Sequence, residues 1–231
     1  MKTIGIIGGM SWESSAQYYA IINRAVRDRL GPSHSAKILL HSLDFGPIAA
    51  FQAAGEWDRL GEIMADSARA LEAGGADCIV IATNTMHKLA DRVEAATALP
   101  LLHIADATGA AIVAEGHARV ALLGTGFTME QDFLKARLAE RHGLEIIIPD
   151  AKDRGEVHRV IYEELIAGKI LKSSRDAYCG IITRLSARGA QAVIFGCTEI
   201  GLLLSADDSL LPVFDTTWLH ARAAAEFALK P

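Results

Sequence analysis

Residues 189–198 read "GAQAVIFGCT" and residues 75–84 read "GADCIVIATN". Laid one over the other, Gly-Ala matches Gly-Ala and Val193-Ile194 matches Ile79-Val80 at an offset of 189 − 75 = 114. Each is an apolar run that stops abruptly in small polar residues. A second pair, "IGIIG" at 4–8 and "VALLG" at 120–124, recurs at an offset of 120 − 4 = 116 in the same order. Two runs repeated at nearly one spacing predict a chain built from two halves of similar plan.

Around these runs the pattern alternates. Short β-rich stretches fall near 3–7, 37–42, 78–82, 101–104, 119–123, 144–148, 192–195 and 211–214. Amphipathic stretches lie between them, at 57–73, 128–141, 156–166 and 174–188 among others. Strand–helix alternation predicts α/β architecture. The expectation is two pseudo-symmetric Rossmann-like halves, each with a mainly parallel four-stranded sheet. The halves are expected at 1–114 and 115–216. A last helix at 217–231 is expected to pack back on the first half. In such sheets ligands bind beyond the carboxyl ends of the strands. The repeat therefore predicts an active-site cleft between the halves, with Thr83 on one wall and Cys197 on the other.

Composition narrows the function classes. Of 231 residues 51% are hydrophobic and 22% charged, the balance of a soluble globular protein, and the net charge is −5. There is no basic stripe, so neither nucleic acid nor a membrane is an expected partner. No apolar run is long enough to span a bilayer, and "MKTIGIIGGM" reads as a first strand rather than a signal peptide. Three cysteines, widely spaced, predict no disulfide framework and a cytoplasmic location.

The chemistry gathers where the strands end. Cys197 follows an apolar strand and stands beside Thr198 and Glu199. A helix beginning there would lower its pKa towards neutrality. The bland alternative is a buried inert thiol, which suits Cys78 and Cys179 better. Thr83, Asn84 and Thr85 occupy the matching place in the first half; they read either as a helix cap or as a carboxylate grip. "GGMSWES", at 8–14, follows the first strand and reads either as a tight turn capped by Ser11 or as a further anion site. It is neither G-x-G-x-x-G nor a Walker A loop, so NAD and ATP lose support. Eight histidines show no metal-ligand spacing, no lysine stands out as a pyridoxal partner, and His87 reads as a supporting residue near the cleft.

"ATNTMHK" at 82–88, "GGMSWES", "AGEWDRL" at 54–60, "HIADAT" at 103–108 and "FGCTEIGLLL" at 195–204 together resemble the aspartate/glutamate racemase family, closest to its L-aspartate/glutamate-specific type. The resemblance runs along nearly the whole chain. It implies cofactor-independent racemisation of L-aspartate or L-glutamate between two opposed groups, with no metal, in a homodimer. One thiolate removes the α-proton and a thiol on the other side protonates the opposite face. The second-half cysteine corresponds to Cys197. The first-half cysteine corresponds to Thr83, a departure shared by the L-specific type. The same likeness implies substrate contacts at Met10, Gln52, Thr83, Asn84, Thr85 and Thr198, and a role for Glu199 in holding the ammonium or orienting the thiol. Many aspartate racemases carry arginine where Gln52 stands. Glutamate racemases carry histidine where Glu199 stands, which argues against a dedicated glutamate enzyme.

Two other readings fit a lone cysteine. One is a decarboxylase similar to arylmalonate decarboxylases, in which a single thiol only reprotonates a carbanion; the polar "TNT" and Gln52 weigh against its apolar pocket. The other is a binding protein for acidic amino acids that has lost one thiol and with it catalysis. No Cys-His-Asp set supports a cysteine hydrolase.

Overall fold

The structure, a computed structural model, describes residues 1–230. Its chain divides into two compact units, Met1–Ile104 with the residues from His220 onward, and Ala105–Leu219.

The first unit contains β1 (Thr3–Gly8), α1 (Trp12–Leu30), β2 (Lys37–Ser42), α2 (Phe45–Ala54), α3 (Trp57–Ala73) and β3 (Cys78–Ile81). A 3₁₀ turn, Thr85–Leu89, then runs into α4 (Ala90–Glu94), and β4 (Leu101–Leu102) follows. Helix α5 (Ile104–Ala114), from Ala105 on, opens the second unit, which continues with β5 (Arg119–Gly124), α6 (Gly126–Glu130), α7 (Asp132–His142) and β6 (Glu145–Ile147). Next come α8 (Ala151–Val160), prolonged by a π-helical turn Ile161–Leu165, and α9 (Lys172–Ala187). Strand β7 (Ala192–Gly196), α10 (Ile200–Leu203), a 3₁₀ turn Ala206–Asp208, β8 (Val213–Asp215) and α11 (Thr216–Leu229) complete the fold.

Both sheets are four-stranded and parallel throughout, in the orders β2-β1-β3-β4 and β6-β5-β7-β8. The two orders are the same plan used twice, with β3 and β7 as counterparts. Central strands covered on both faces read as unbroken apolar runs, and β3 and β7 are buried at every position. Side chains alternate across the sheet: Ile4, Ile6, Cys78 and Val80 join one core, while Ile7, Ile79 and Ile81 join the other. Helix α1 buries Ser14, Tyr18, Ile22 and Val26, a strict four-residue spacing that lays one stripe on the sheet. Each fully buried aliphatic side chain of this kind contributes about 1.5–3 kcal/mol.

The division into units departs from the expected boundary after residue 114. Helix α5 is held by the second unit, because Asp106 accepts both guanidinium hydrogen bonds of Arg137 at 2.7 Å. Gly109 also leaves room there for the His142 ring. The second boundary falls within α11. Its first turn is tied to the second unit by Thr216 Oγ1 donating to Phe195 O at 2.9 Å and by Asp215 capping Thr217 and Trp218. From His220 onward the helix serves the first unit, where Ala221, Ala224, Ala225 and Ala228 pack on Ile4, Ile6 and Val80.

Among the described residues no helix is long and apolar enough to cross a membrane. Among the same described residues, no group of three or more His, Cys, Asp or Glu side chains is placed to hold a metal ion.

The β1–α1 turn depends on Gly9. Its φ is +85°, and a Cβ there would overlap the backbone of Leu43. Left-handed backbone costs about 1–2 kcal/mol for alanine before any overlap is counted. Gly9→Ala is therefore expected to destabilise the protein by about 3 kcal/mol and to lower its Tm by about 10 °C in a thermal melt.

Candidate active site

Strand register puts the two polar clusters at equivalent places. Ile7 pairs with Ile81 in the first sheet, and Gly124 with Gly196 in the second. Thr83 emerges just past the carboxyl end of β3, and Cys197 immediately follows β7. Both are half-buried.

In the first unit, the turn after β1 is closed by hydrogen bonds. Gly9 N–H donates to Ser15 Oγ at 2.7 Å, and Ser15 Oγ donates to Ser11 O at 3.1 Å. Ser11 caps α1 by accepting from Ser14 N, so its capping role is realised. Met10 is buried in the apolar core of this end, in one cluster with Ile48 and Met86. Gln52, also buried, donates its amide to Met86 Sδ at 3.2 Å. Asn84 and Thr85 are buried on the turn that follows Thr83. Asn84 stands at the N-cap of the 3₁₀ turn, with no capping bond from its side chain. The structure thus brings Met10, Gln52, Thr83, Asn84 and Thr85 to one end of one sheet.

His87, read from the sequence as a supporting residue, and several residues the sequence did not single out complete this end. Ser14 Oγ donates to Ala82 O at 3.0 Å. His87 lies between Thr83 O, 2.8 Å from Nδ1, and Ile104 N–H, 3.2 Å from Nε2. A carbonyl can only accept and a backbone N–H can only donate. The two partners therefore fix His87 as the neutral Nδ1–H tautomer. His103 and His220 pack against its ring at 4.5 and 5.6 Å between centroids, and Tyr18 OH lies 2.8 Å from His220 Nδ1. These four are scattered along the chain, and no spacing foretells their meeting.

In the second unit the thiol of Cys197 donates to Glu199 Oε2 at 2.9 Å, and Thr198 Oγ1 donates to the same oxygen at 2.6 Å. Thr198 and Glu199 are buried. Glu199 contacts the thiol directly, one of the two roles expected of it. The expected depressed thiol pKa is not found. Burial, then the negative charge of Glu199, then its hydrogen bond raise the Cys197 pKa well above the ordinary value, and the turn's backbone N–H groups offset this only in part. The helix that was to supply a dipole, α10, has four residues. The Tyr162 phenol is raised as well, by burial and then by Cys197 and Glu199.

The turn after β5 is shorter than the turn after β1, with Thr125 alone between strand and helix, but it shares a hydroxyl N-cap. Thr125 accepts from Thr128 N at 3.3 Å, and Gly126 N–H donates to His158 Nδ1 at 3.0 Å. By role Thr125 is the counterpart of Ser11, at the same 125 − 11 = 114 offset that relates Thr83 to Cys197. Cys78, at the start of β3, is fully buried, and burial pushes its thiol up to about 12. Cys179 donates to Asp208 O at 3.2 Å.

The family model for Asp/Glu/hydantoin racemases matches residues 7–224. A putative Asp/Glu racemase from Yersinia pestis is 54% identical, with a TM-score of 0.94 and full coverage of both chains. An aspartate racemase homologue from Pyrococcus horikoshii is 34% identical, with a TM-score of 0.87 and full coverage of both chains. The aspartate racemase of Picrophilus torridus has the same fold at 21% identity and a TM-score of 0.79, over 100% of this chain and 96% of that one.

A raised thiol pKa sets an expected chemical behaviour. Below its pKa Cys197 is protonated and a poor nucleophile. Its alkylation by iodoacetamide in the ligand-free protein should climb steadily with pH, with no plateau below about pH 9. Glu199→Gln removes the adjacent charge, lowers the thiol pKa, and should speed alkylation at pH 8 about tenfold per pKa unit recovered. Peptide mass spectrometry of the Cys197 peptide reads both.

Proposed function

Because the chain belongs to the Asp/Glu/hydantoin racemase family, and is thus an isomerase, we propose that it racemises L-aspartate, L-glutamate or both without a cofactor. Cys197 is the base for the L-isomer, and protonation of the other face comes from the Thr83 side. The observation that carries this reading is the Cys197–Glu199 hydrogen bond at the end of β7, in the position equivalent to Thr83 after β3.

The proton transfers balance as follows. Glu199 takes the thiol proton of Cys197, leaving a thiolate beside a carboxylic acid. The thiolate takes the α-proton. The C–H electron pair passes into the substrate's α-carboxylate as an enediolate. A proton from the Thr83 hydroxyl, or from a water it holds, adds to the opposite face, and solvent resets both ends. A thiol held above its usual pKa is a stronger base once ionised, which suits an α-carbon far less acidic than any thiol. The cost is that ionisation needs Glu199 within reach at 2.9 Å.

Met10 through its backbone, with Asn84, Thr85 and Thr198, is assigned to the substrate carboxylates. Gln52 is assigned to the distal one. Its amide rests on a thioether, a weak acceptor that a carboxylate displaces readily. Threonine is a poor base near neutral pH, so conversion of L to D is the easier direction to observe. Enantiomers have equal free energy in water, so kcat/KM must be the same in both directions. Asymmetry appears only in kcat and KM taken separately. We extend the proposal to a homodimer, on family likeness.

Proton NMR of L-aspartate and L-glutamate in D2O, with chiral chromatography of the same samples, tests the reading. Loss of the α-proton signal with growth of the D-isomer is expected. Cys197→Ala should slow both by about 10²–10⁴-fold, as should Glu199→Gln. Thr83→Ala should keep α-proton exchange and lose D-isomer formation. Absence of exchange on both substrates would refute the proposal. Turnover of an arylmalonate, or binding without turnover, would then identify the decarboxylase or the binding protein.

A further inference from the structure

Thr83 is held by two side chains that do not come from its own strand. The direction of its Cα–Cβ bond is set by φ and ψ, which are the orientations of the peptide planes on either side of it. The plane before Thr83 carries the carbonyl of Ala82, which accepts from Ser14 Oγ at 3.0 Å. The plane after it carries the carbonyl of Thr83 itself, 2.8 Å from His87 Nδ1. One plane is anchored to the first turn of α1 and the other to the turn ahead of α4. The Ala82 N–H is already engaged with Ile7 O at 2.9 Å. Neither donor has freedom to wander. Ser14 and His87 are both buried, and His87 is locked on its far side by the N–H of Ile104 at 3.2 Å.

A buried histidine could be mere filling. Filling does not require one tautomer, whereas the partners here impose one. Nor would filling place a donor on each of the two planes that define a single residue. A threonine hydroxyl is a short, weak proton donor with no charge to draw a substrate into line. Its usefulness to the reaction rests on aim, and aim is what two fixed peptide planes supply.

We propose that Ser14 and His87 are a pair of positioning residues that aim the Thr83 side chain, so that they govern protonation from that side and not proton removal by Cys197. This rests on the racemase reading given above, and its test is separable from it.

The decisive quantity is the ratio of D-isomer formation to α-proton exchange, measured in D2O with L-aspartate and L-glutamate. In Ser14→Ala, which removes one oxygen and leaves packing nearly intact, the ratio should fall between about tenfold and about 100-fold. His87→Ala should lower it at least as much. His87→Asn, whose side-chain amide can reach the place of Nδ1–H, should restore most of the ratio. Carbon-13 shifts of Thr83 should move in Ser14→Ala and His87→Ala and return towards wild type in His87→Asn. Exchange and D-isomer formation falling by one common factor in both alanine variants would overturn the proposal, as would unmoved Thr83 shifts in both. If the wild-type protein exchanges no α-proton, the racemase reading fails, and the Thr83 shifts alone decide whether the pair positions that residue.

Discussion

The pairing of the two central strands in each sheet is the constraint from which the rest follows. β1 and β3 run side by side with Ile7 opposite Ile81, and β5 and β7 end level at Gly124 and Gly196. Parallel neighbours must be joined by crossovers, so their carboxyl ends release chain into turns at the same level. Those turns carry Gly9–Met10–Ser11 and Thr83–Asn84–Thr85 in one unit, and Thr125–Gly126 and Cys197–Thr198–Glu199 in the other. A register slip of one residue would send Ile79 and Ile81 to the wrong face and carry Thr83 out of the polar turn.

Much of this could be read from the sequence because it is written in local pattern. All eight strands lie where apolar runs bounded by glycine and polar residues placed them, and the repeat at 114–116 residues matched true counterparts. Helices were less legible where they change character. The stretch expected as one helix at 128–141 breaks at Gln131 between α6 and α7, and 156–166 spans the change from α8 into a π turn. Nothing in periodicity marks either change. The compact units divide at Ile104 rather than at 114, because side-chain partners far off in sequence, Asp106 with Arg137 above all, tie α5 to the second unit.

The chemistry was legible in kind and not in detail. Strand-end position singled out Cys197, and adjacency made Glu199 a neighbour. The sign of the thiol's pKa shift was beyond reach, since it turns on whether Glu199 faces Sγ or solvent and on how long the following helix is. Ser14, and the particular contact that His87 makes, were hidden for a similar reason. Their partners are backbone carbonyls, which leave no trace in the identity of the residues that own them. A buried carboxylate beside a thiol is costly without donors, and Thr198 at 2.6 Å supplies one in addition to the thiol itself.

The first unit is discontinuous in sequence, and this bears on how the protein is made. Its core beneath α1 is lined by Ala221, Ala224, Ala225 and Ala228, and Lys2 N–H donates to Ala228 O at 2.9 Å. During synthesis the N-terminal strand therefore leaves the ribosome more than two hundred residues before its closing partners. The second unit, contiguous from Ala105 to Leu219, has all its own residues earlier. The part made first is thus finished last. Until α11 arrives, the apolar face of β1 and β3 lacks its final cover, and that nascent interval is when the chain is most open to chaperones and to misassociation.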